Sequence, residues 1–201
     1  AFLVQNMKKE IRHYLAIDNY IDIDIVNCHF VILYNILKHN NYISLCPILE
    51  DYVKNRNTII DKLIKELNKN KDDIKQIIIS IMYGSKLTYN NIFLEDFRKQ
   101  INIISNIIYD SNKDLEKEII KDRKNNFTKM TKYENNKKGI VLSYFLQEYE
   151  NKILYNAFEF IQMNISNENK KNLVLCFDGI MIKKEEEIDL LELNKYIFEK
   201  T

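Results

Sequence analysis

The chain has 201 residues, of which 46% are hydrophobic and 29% charged, a composition typical of a soluble globular protein. This length is sufficient for one sizeable core with a lobe inserted into it. No apolar run approaches the roughly 18 residues that a membrane-spanning helix needs, and the first residues lack the order of a signal peptide. The formal net charge is +1, so any attraction to nucleic acid must be local.

The three cysteines, Cys28, Cys46 and Cys176, contain no pair with metal-ligand spacing. We therefore expect reduced thiols in an intracellular protein, located in the cytoplasm. The chain opens with Ala1 rather than Met, as is expected of a piece of a longer protein.

Two segments predict β-strands. Residues 20–27 read YIDIDIVN, where isoleucine alternates with aspartate. Residues 172–183 read NLVLCFDGIMIK, with a short apolar run on either side of Asp178-Gly179, a pattern typical of a β-hairpin. A strand followed much later by a hairpin predicts an α+β fold with a small antiparallel sheet.

Most of the remaining chain carries apolar residues at three- and four-residue spacing, which predicts helices. The predicted helices cover residues 30–39, 48–67, 72–83, 93–109, 141–163 and 189–200. Residues 110–138 are dense in Lys and Asn and poor in apolar side chains, so we expect a mobile surface excursion there. The helical middle is expected to form a large insertion beside the sheet.

The first candidate site lies on the acidic strand. Side chains alternate between the faces of a strand, so Asp22 and Asp24 point the same way. Asp178 ends a buried apolar run, and Gly179 permits close approach of another backbone. Phosphoryl transfer by two magnesium ions needs such convergent carboxylates. The alternatives are an amphipathic strand that shows its charges to water and an ordinary Asp-Gly turn.

The second candidate site is a helix face. Lys71, Lys75, Ile79 and Tyr83 recur at intervals of four and are followed by Gly84. Two ammonium groups and an aromatic ring suit the phosphates and the base of a nucleotide. The alternative is a solvated lysine stripe that ends in a core tyrosine and a glycine helix cap.

Together these motifs resemble those of family A DNA polymerases, in the divergent branch found in virophages and related mobile elements. The helix motif of that family is similar to Lys71-x3-Lys75-x3-Ile79-Ser80-x2-Tyr83-Gly84, and its metal motif is similar to the segment from Asp24 to His29. Further likeness lies in Val4-Gln5-Asn6, Ile11-Arg12, Ser143-x3-Gln147 and the hairpin segment Cys176-Phe177-Asp178-Gly179. The order of the motifs agrees along nearly the whole chain.

The resemblance implies roles for individual residues. Catalysis falls to Asp24, Asp178 and Lys75, and two Mg²⁺ ions are held by Asp24 and Asp178 with Asp22. The implied nucleotide-binding residues are Lys71, Lys75, Tyr83, His29 and Ile25. The implied DNA-binding residues are Arg12, Gln147 and Gly84. Gly179 stands where the family carries a second hairpin carboxylate.

The resemblance also implies an architecture and an activity. Residues 1–40 and 139–201 would form a palm, and residues 41–138 would form helical fingers. The activity would be template-directed transfer of a nucleotide from a deoxynucleoside triphosphate to a primer 3′-hydroxyl. The implied partners are primer-template DNA, deoxynucleoside triphosphates and a helicase domain or subunit, with no membrane, at a viral replication site. The alternatives are a catalytically degenerate polymerase-like DNA-binding module, a metal-dependent nuclease, and a wholly helical scaffold.

Overall fold

The computed structural model describes residues 9–86, 88–176 and 179–201, without the side chains of residues 9, 10, 12 and 13. The first described elements are α1 (Lys9–Ala16), β1 (Tyr20–Asp24), α2 (Cys28–His39), α3 (Pro47–Leu67), α4 (Lys71–Met82) and α5 (Ile92–Ser111). They are followed by α6 (Lys113–Arg123), α7 (Phe127–Asn135), α8 (Lys137–Asn164), β2 (Val174–Cys176), β3 (Gly179–Lys183) and α9 (Leu190–Lys200). Short 3-10 turns cover Ile43–Leu45 and Lys170–Asn172.

The described strands form one antiparallel sheet in the order β1-β3-β2. The central strand β3 pairs with β1 from Tyr20↔Lys183 to Asp24↔Gly179, and with β2 from Val174↔Met181 to Cys176↔Gly179. The expected pairing of the acidic strand with the hairpin is therefore confirmed. The first strand is shorter than predicted, because Asn27 adopts a left-handed φ of 56° immediately before helix α2.

The described chain divides into two compact units. One contains residues up to Cys28 and from Glu148 onward, and the other contains residues 29–147. In the first unit, one face of the sheet packs on the later part of α8 and on α9. Ile180 and Ile182 meet Phe160 and Leu193 there, with Ile23 packed against the cluster. Because side chains alternate along a strand, this packing directs Asp22 and Asp24 to the opposite face.

The second unit is helical. Helices α3, α4 and α5 pack against one another in pairs. Their packing includes an aromatic cluster of Phe30, Tyr52 and Phe97, with ring centroids 4.9 to 6.3 Å apart. A smaller cluster joins α6, α7 and the start of α8 through buried Ile119 and Tyr133. These apolar contacts hold the unit together.

Several helices of the second unit begin at an asparagine. The side chain of Asn70 accepts a hydrogen bond from the Asp73 amide, and Asn91 and Asn126 cap α5 and α7 in the same way. An asparagine oxygen at this position satisfies an amide that has no partner within the helix. Helix α3 begins instead with Pro47, whose fixed φ suits the first turn.

The predicted helices are confirmed, with ends shifted by a few residues. The expectation of a mobile excursion over residues 110–138 is wrong, because α6 and α7 form there around Ile119 and Tyr133. Few apolar residues mark these helices, and each of those few is buried or half-buried apart from Phe127. The observed protein is mostly helical with a small three-stranded antiparallel sheet, as an α+β class requires. The palm and fingers labels rest on the polymerase resemblance alone.

Candidate functional site

The acidic face of the sheet is built around Gly179. Asp24 pairs with Gly179 across the β1–β3 ladder, and Asp22 lies two residues earlier on the same face. A Cβ atom built on Gly179 would lie 3.1 Å from Oδ1 of Asp22 and 3.4 Å from Oδ1 of Asp24. Both carboxylates therefore approach the backbone of the central strand, at a position where a side chain would crowd them.

The predicted two-magnesium site depends on Asp178 together with Asp24. Asp178 lies outside the described residues, so its distance from Asp24 is not part of the described structure. Asp22 and Asp24 are both exposed to solvent, and both take part in interactions within the protein. The two Mg²⁺ ions and the metal-binding roles of Asp22, Asp24 and Asp178 stay predictions.

The lysine-bearing helix is α4, in the second unit. Lys71 is its first residue and is exposed, while Lys75 is half-buried and forms an ion pair with Asp72 at 2.9 Å. The Lys75 ammonium donates a hydrogen bond that holds the pKa of Asp72 below its usual range. Ile79 is 40% exposed on the same side of the helix. The opposite side is buried, so the predicted stripe lies on the solvent-facing side of α4.

Tyr83 ends this helix and contacts His29. The Tyr83 hydroxyl forms a hydrogen bond with Nδ1 of His29, and the two rings meet edge to face with centroids 5.9 Å apart. The carbonyl oxygen of Tyr83 accepts a hydrogen bond of 2.7 Å from the Asn136 side chain. These contacts tie the end of α4 to α2 and to the start of α8. The nucleotide-binding roles of Lys71, Lys75, His29 and Tyr83 stay predictions.

Gly84 terminates α4 in a Schellman motif. Its φ is 81°, its amide bonds to the Ile81 carbonyl, and the Ser85 amide bonds to the Ser80 carbonyl. The alternative interpretation of Gly84 as a glycine helix cap is therefore confirmed. This position requires a left-handed backbone, which glycine adopts without steric cost.

The other predicted contacts are dispersed along the chain. Gln147 donates a hydrogen bond of 3.3 Å to the Ser143 hydroxyl, one turn earlier on α8. Ile25 is half-buried in the connection between β1 and α2. Arg12 lies in α1, and its side chain is outside the described part of the chain. The DNA-binding roles of Arg12, Gln147 and Gly84, and the nucleotide-binding role of Ile25, stay predictions.

Sequence reasoning missed the group around Glu116. The hydroxyls of Tyr109 and Tyr133 each donate a 2.5 Å hydrogen bond to the same oxygen of Glu116. These bonds lower the pKa of Glu116, with the donation from Tyr109 having the larger effect. Their spacings of seven and 17 residues offer no sequence pattern that would have found them.

Comparison with known proteins gives a distant relationship. The chain is 28% identical over 191 residues to a protein of Sputnik virophage named "Putative helicase V13". The matched region covers 89% of this chain and 23% of that protein. No family model matches the chain, and no solved structure matches it.

These findings correct the predicted identity. The relative is named for a helicase, and the comparisons contain nothing that indicates a polymerase. The polymerase prediction is wrong. The resemblance depended on several short motifs that match the family only in part, as where Gly179 replaces a hairpin carboxylate and Ile79 an aromatic residue. The predicted nucleotidyl transfer and the palm and fingers labels lose their support with it. The comparisons do not favour the alternatives of a degenerate polymerase-like DNA-binding module or a metal-dependent nuclease either. The wholly helical scaffold is contradicted by the described sheet.

Proposed function

We propose that this chain is a nucleic-acid-binding part of a viral helicase, acting beside the ATP-hydrolysing motor rather than as the motor. The observation that carries the proposal is the alignment of most of the chain with a virophage protein named as a putative helicase. The aligned region covers 89% of the chain, at 28% identity. The chain spans about a quarter of the length of that relative, which leaves ample sequence there for a separate motor. The proposed place of action is the site of viral genome replication, with the helicase motor as partner.

The number and spacing of the glycines support the proposal that this chain is not the ATP-hydrolysing motor. A P-loop motor cradles the phosphates of ATP with a Gly-x4-Gly-Lys-Ser/Thr segment at the start of a helix. The three glycines of this chain are Gly84, Gly139 and Gly179, which are far too widely spaced for that motif. The proposal therefore assigns ATP hydrolysis to sequence outside these 201 residues.

Charge distribution supports contact with nucleic acid. Residues 113–138 contain nine basic and five acidic side chains, a formal net charge of +4 in a chain whose total is +1. The remainder of the chain is therefore net negative. A local excess of lysine attracts the phosphate backbone even where the whole protein is nearly neutral.

The test uses the purified 201-residue chain in two assays. Binding to a forked DNA is measured by fluorescence anisotropy across a salt series, and ATP hydrolysis is measured with and without that DNA. We expect salt-dependent binding with a Kd of about 10⁻⁴ to 10⁻⁶ M, the range of non-specific nucleic-acid binding. We expect no ATP hydrolysis above a protein-free control. Hydrolysis of ATP by the chain, or no binding at low salt, would contradict the proposal.

A further inference from the structure

Helices α6 and α7 and the turn between them carry exposed lysines that form no ion pair with the described residues. Within the described residues, no ion pair involves the exposed side chains of Lys121, Lys124, Lys129 and Lys132. Other lysines nearby are paired, as Lys117 is with Asp114 at 2.8 Å. A lysine outside an ion pair attracts a polyanion more strongly than one whose charge is neutralised by a neighbouring carboxylate.

These four lysines, here called the lysine band, lie on either side of the junction between α6 and α7. Lys121 lies in the last turn of α6 and Lys124 immediately follows that helix, three residues later. Lys129 and Lys132 have the same spacing on α7. The guanidinium of Arg123 reaches the carbonyl oxygen of Lys129 at 3.4 Å and also bonds to the Tyr144 hydroxyl. This contact holds the turn that carries Lys129 beside the end of α6.

The connection between the helices is short and is held by hydrogen bonds. Only residues 124–126 separate α6 from α7. The Asn126 amide donates to the Arg123 carbonyl, and the Asn126 side chain accepts from the Lys129 amide at 2.9 Å. Buried Tyr133 anchors α7 one turn after Lys129. The band is therefore presented on an ordered scaffold, which reduces the entropy lost on binding.

Phe127 is the first residue of α7 and lies between Lys124 and Lys129 in the chain. Phe127 is 87% exposed, although phenylalanine is among the residues most often buried. Exposed aromatic rings beside basic side chains are the stacking platforms of proteins that bind single strands, because every unpaired base offers a ring face. In a duplex the bases are stacked on each other and are not available to such a ring.

We propose that Lys121, Lys124, Phe127, Lys129 and Lys132, here called the α6–α7 surface, bind single-stranded nucleic acid. The lysines contact successive phosphates, and Phe127 stacks on a base. This inference rests on the proposed function, since single strands are what a helicase produces. It adds the location of the surface, the form of the nucleic acid and the role of each side chain.

The experiment measures binding of the 201-residue chain to a fluorescent 20-nucleotide DNA strand by anisotropy at several salt concentrations. The triple variant K124Q/K129Q/K132Q is compared with the matched control K54Q/K62Q/K99Q, whose lysines are each ion-paired within their own helix. Both triples remove the same charge. All six lysines are exposed, so both variants are expected to keep the native circular dichroism spectrum and melting temperature.

We expect the α6–α7 triple to weaken binding by roughly tenfold or more. The slope of log K against log salt should fall by about 2, because each lost phosphate contact contributes about 0.7 on a single strand. The control triple should change affinity by less than about twofold, since screened surface charges outside the interface contribute little. Equal losses in both triples would overturn the assignment of this surface.

A second variant separates stacking from charge. Phe127→Ala should weaken binding of the strand by about tenfold and leave the salt slope unchanged, because stacking releases no counterions. The same substitution should have little effect on a duplex of the same sequence. Two results would overturn the single-strand assignment. Equal effects of Phe127→Ala on the strand and on the duplex would favour a duplex as the ligand. Displacement of the labelled strand by polyglutamate as effectively as by unlabelled strand would favour an acidic protein.

The outcomes distinguish the inference from the proposed function. If the wild-type chain binds DNA and the α6–α7 variants bind equally well, the inference fails while the proposed function stands. If the wild-type chain binds no DNA at low salt, the proposed function fails, and the inference fails with it.

Discussion

Gly139 and Gly179 each lie against the backbone of another segment. A Cβ atom on Gly139 would lie 2.2 Å from the carbonyl oxygen of Tyr83, and one on Gly179 would lie 3.0 Å from that of Ile23. Both obstacles are main-chain atoms held by a helix end or a strand, so neither can move aside cheaply. The absence of a side chain at these positions is therefore a packing requirement.

We predict that alanine at either position destabilises the protein, and more at Gly139. Gly179→Ala should lower the free energy of unfolding by about 1 to 3 kcal/mol, the usual cost of overpacking. Gly139→Ala should cost more, because its contact is 0.8 Å shorter. Urea unfolding followed by circular dichroism measures both changes.

Gly139 lies in helix α8, where alanine would ordinarily be more stable than glycine, so the predicted loss of stability for Gly139→Ala is opposite in sign to the effect of helix propensity. Alanine in place of an unconstrained helix glycine stabilises by roughly 1 kcal/mol, because alanine has the higher helix propensity. A gain in stability for Gly139→Ala would therefore show that its close contact with Tyr83 is absent.

At the scale of elements, Glu116 joins three helices. It lies on α6 and accepts hydrogen bonds from Tyr109 on α5 and from Tyr133 on α7. The Lys113 ammonium lies 3.7 Å from the second oxygen of Glu116 and 3.6 Å from the centroid of the Tyr109 ring. The Glu116 side chain is only 16% exposed, so these partners replace most of its water.

This arrangement makes the junction of the three helices sensitive to pH. Hydrogen bonds from Tyr109 and then Tyr133 lower the pKa of Glu116 from its ordinary value of 4.5. A carboxylate whose pKa is lowered by folding contributes stability above its unfolded value, and that contribution is lost as the pH falls through the folded value. Burial and the Glu116 carboxylate raise the pKa of Tyr133, so its neutral form persists beyond pH 10.

We predict that the melting temperature of the wild-type protein falls as the pH is lowered from about 5 toward the folded pKa of Glu116. Glu116→Gln should be less stable at neutral pH, because an amide accepts weaker hydrogen bonds than a carboxylate. Its stability should also depend less on pH in the acid range. Differential scanning calorimetry of both proteins across the same pH series measures this difference.

Glu50→Gln is a suitable control for that experiment. Glu50 is a half-buried helical glutamate in a surface ion pair with exposed Lys54. Such a pair contributes little to stability, so substitution there should leave the acid dependence close to that of the wild type. Parallel pH profiles for the wild type and Glu116→Gln would contradict the role assigned to Glu116.

At the scale of the whole molecule, the thiols are distributed between the two units. Cys28 and Cys176 belong to the unit that contains the sheet, and Cys46 belongs to the helical unit. All three are buried and free of disulfide bonds. Burial raises the pKa of the Cys46 thiol to about 11, so little reactive thiolate forms at neutral pH.

We predict that the native protein reacts slowly with a thiol reagent and that all three cysteines react after denaturation. Mass spectrometry along a guanidinium series can assign each labelled cysteine to its unit. A reducing agent should not change the unfolding midpoint, since there is no disulfide to break. Rapid labelling of any cysteine in the native protein would contradict the observed burial.

Local patterns in the sequence determined most of the secondary structure. The alternation in residues 20–24 and the apolar runs around Asp178-Gly179 identified the strands, and three- and four-residue spacing identified the longer helices. Each of these signals arises from neighbours along the chain, which is why it can be read without coordinates. The opposite faces of the acidic strand followed from the same alternation.

Tertiary contacts determined the helices and the exposed surfaces that local sequence patterns do not encode. Helices α6 and α7 depend on a few buried residues, chiefly Ile119 and Tyr133, whose partners come from other helices. The lysine band and exposed Phe127 became visible only when those helices fixed which side faces solvent. The function was also not determined by local patterns. Motif spacing alone predicted a polymerase, whereas the relative that the chain resembles is named for a helicase. Spacing fixes which side chains share a face, but only the folded chain determines what that face meets.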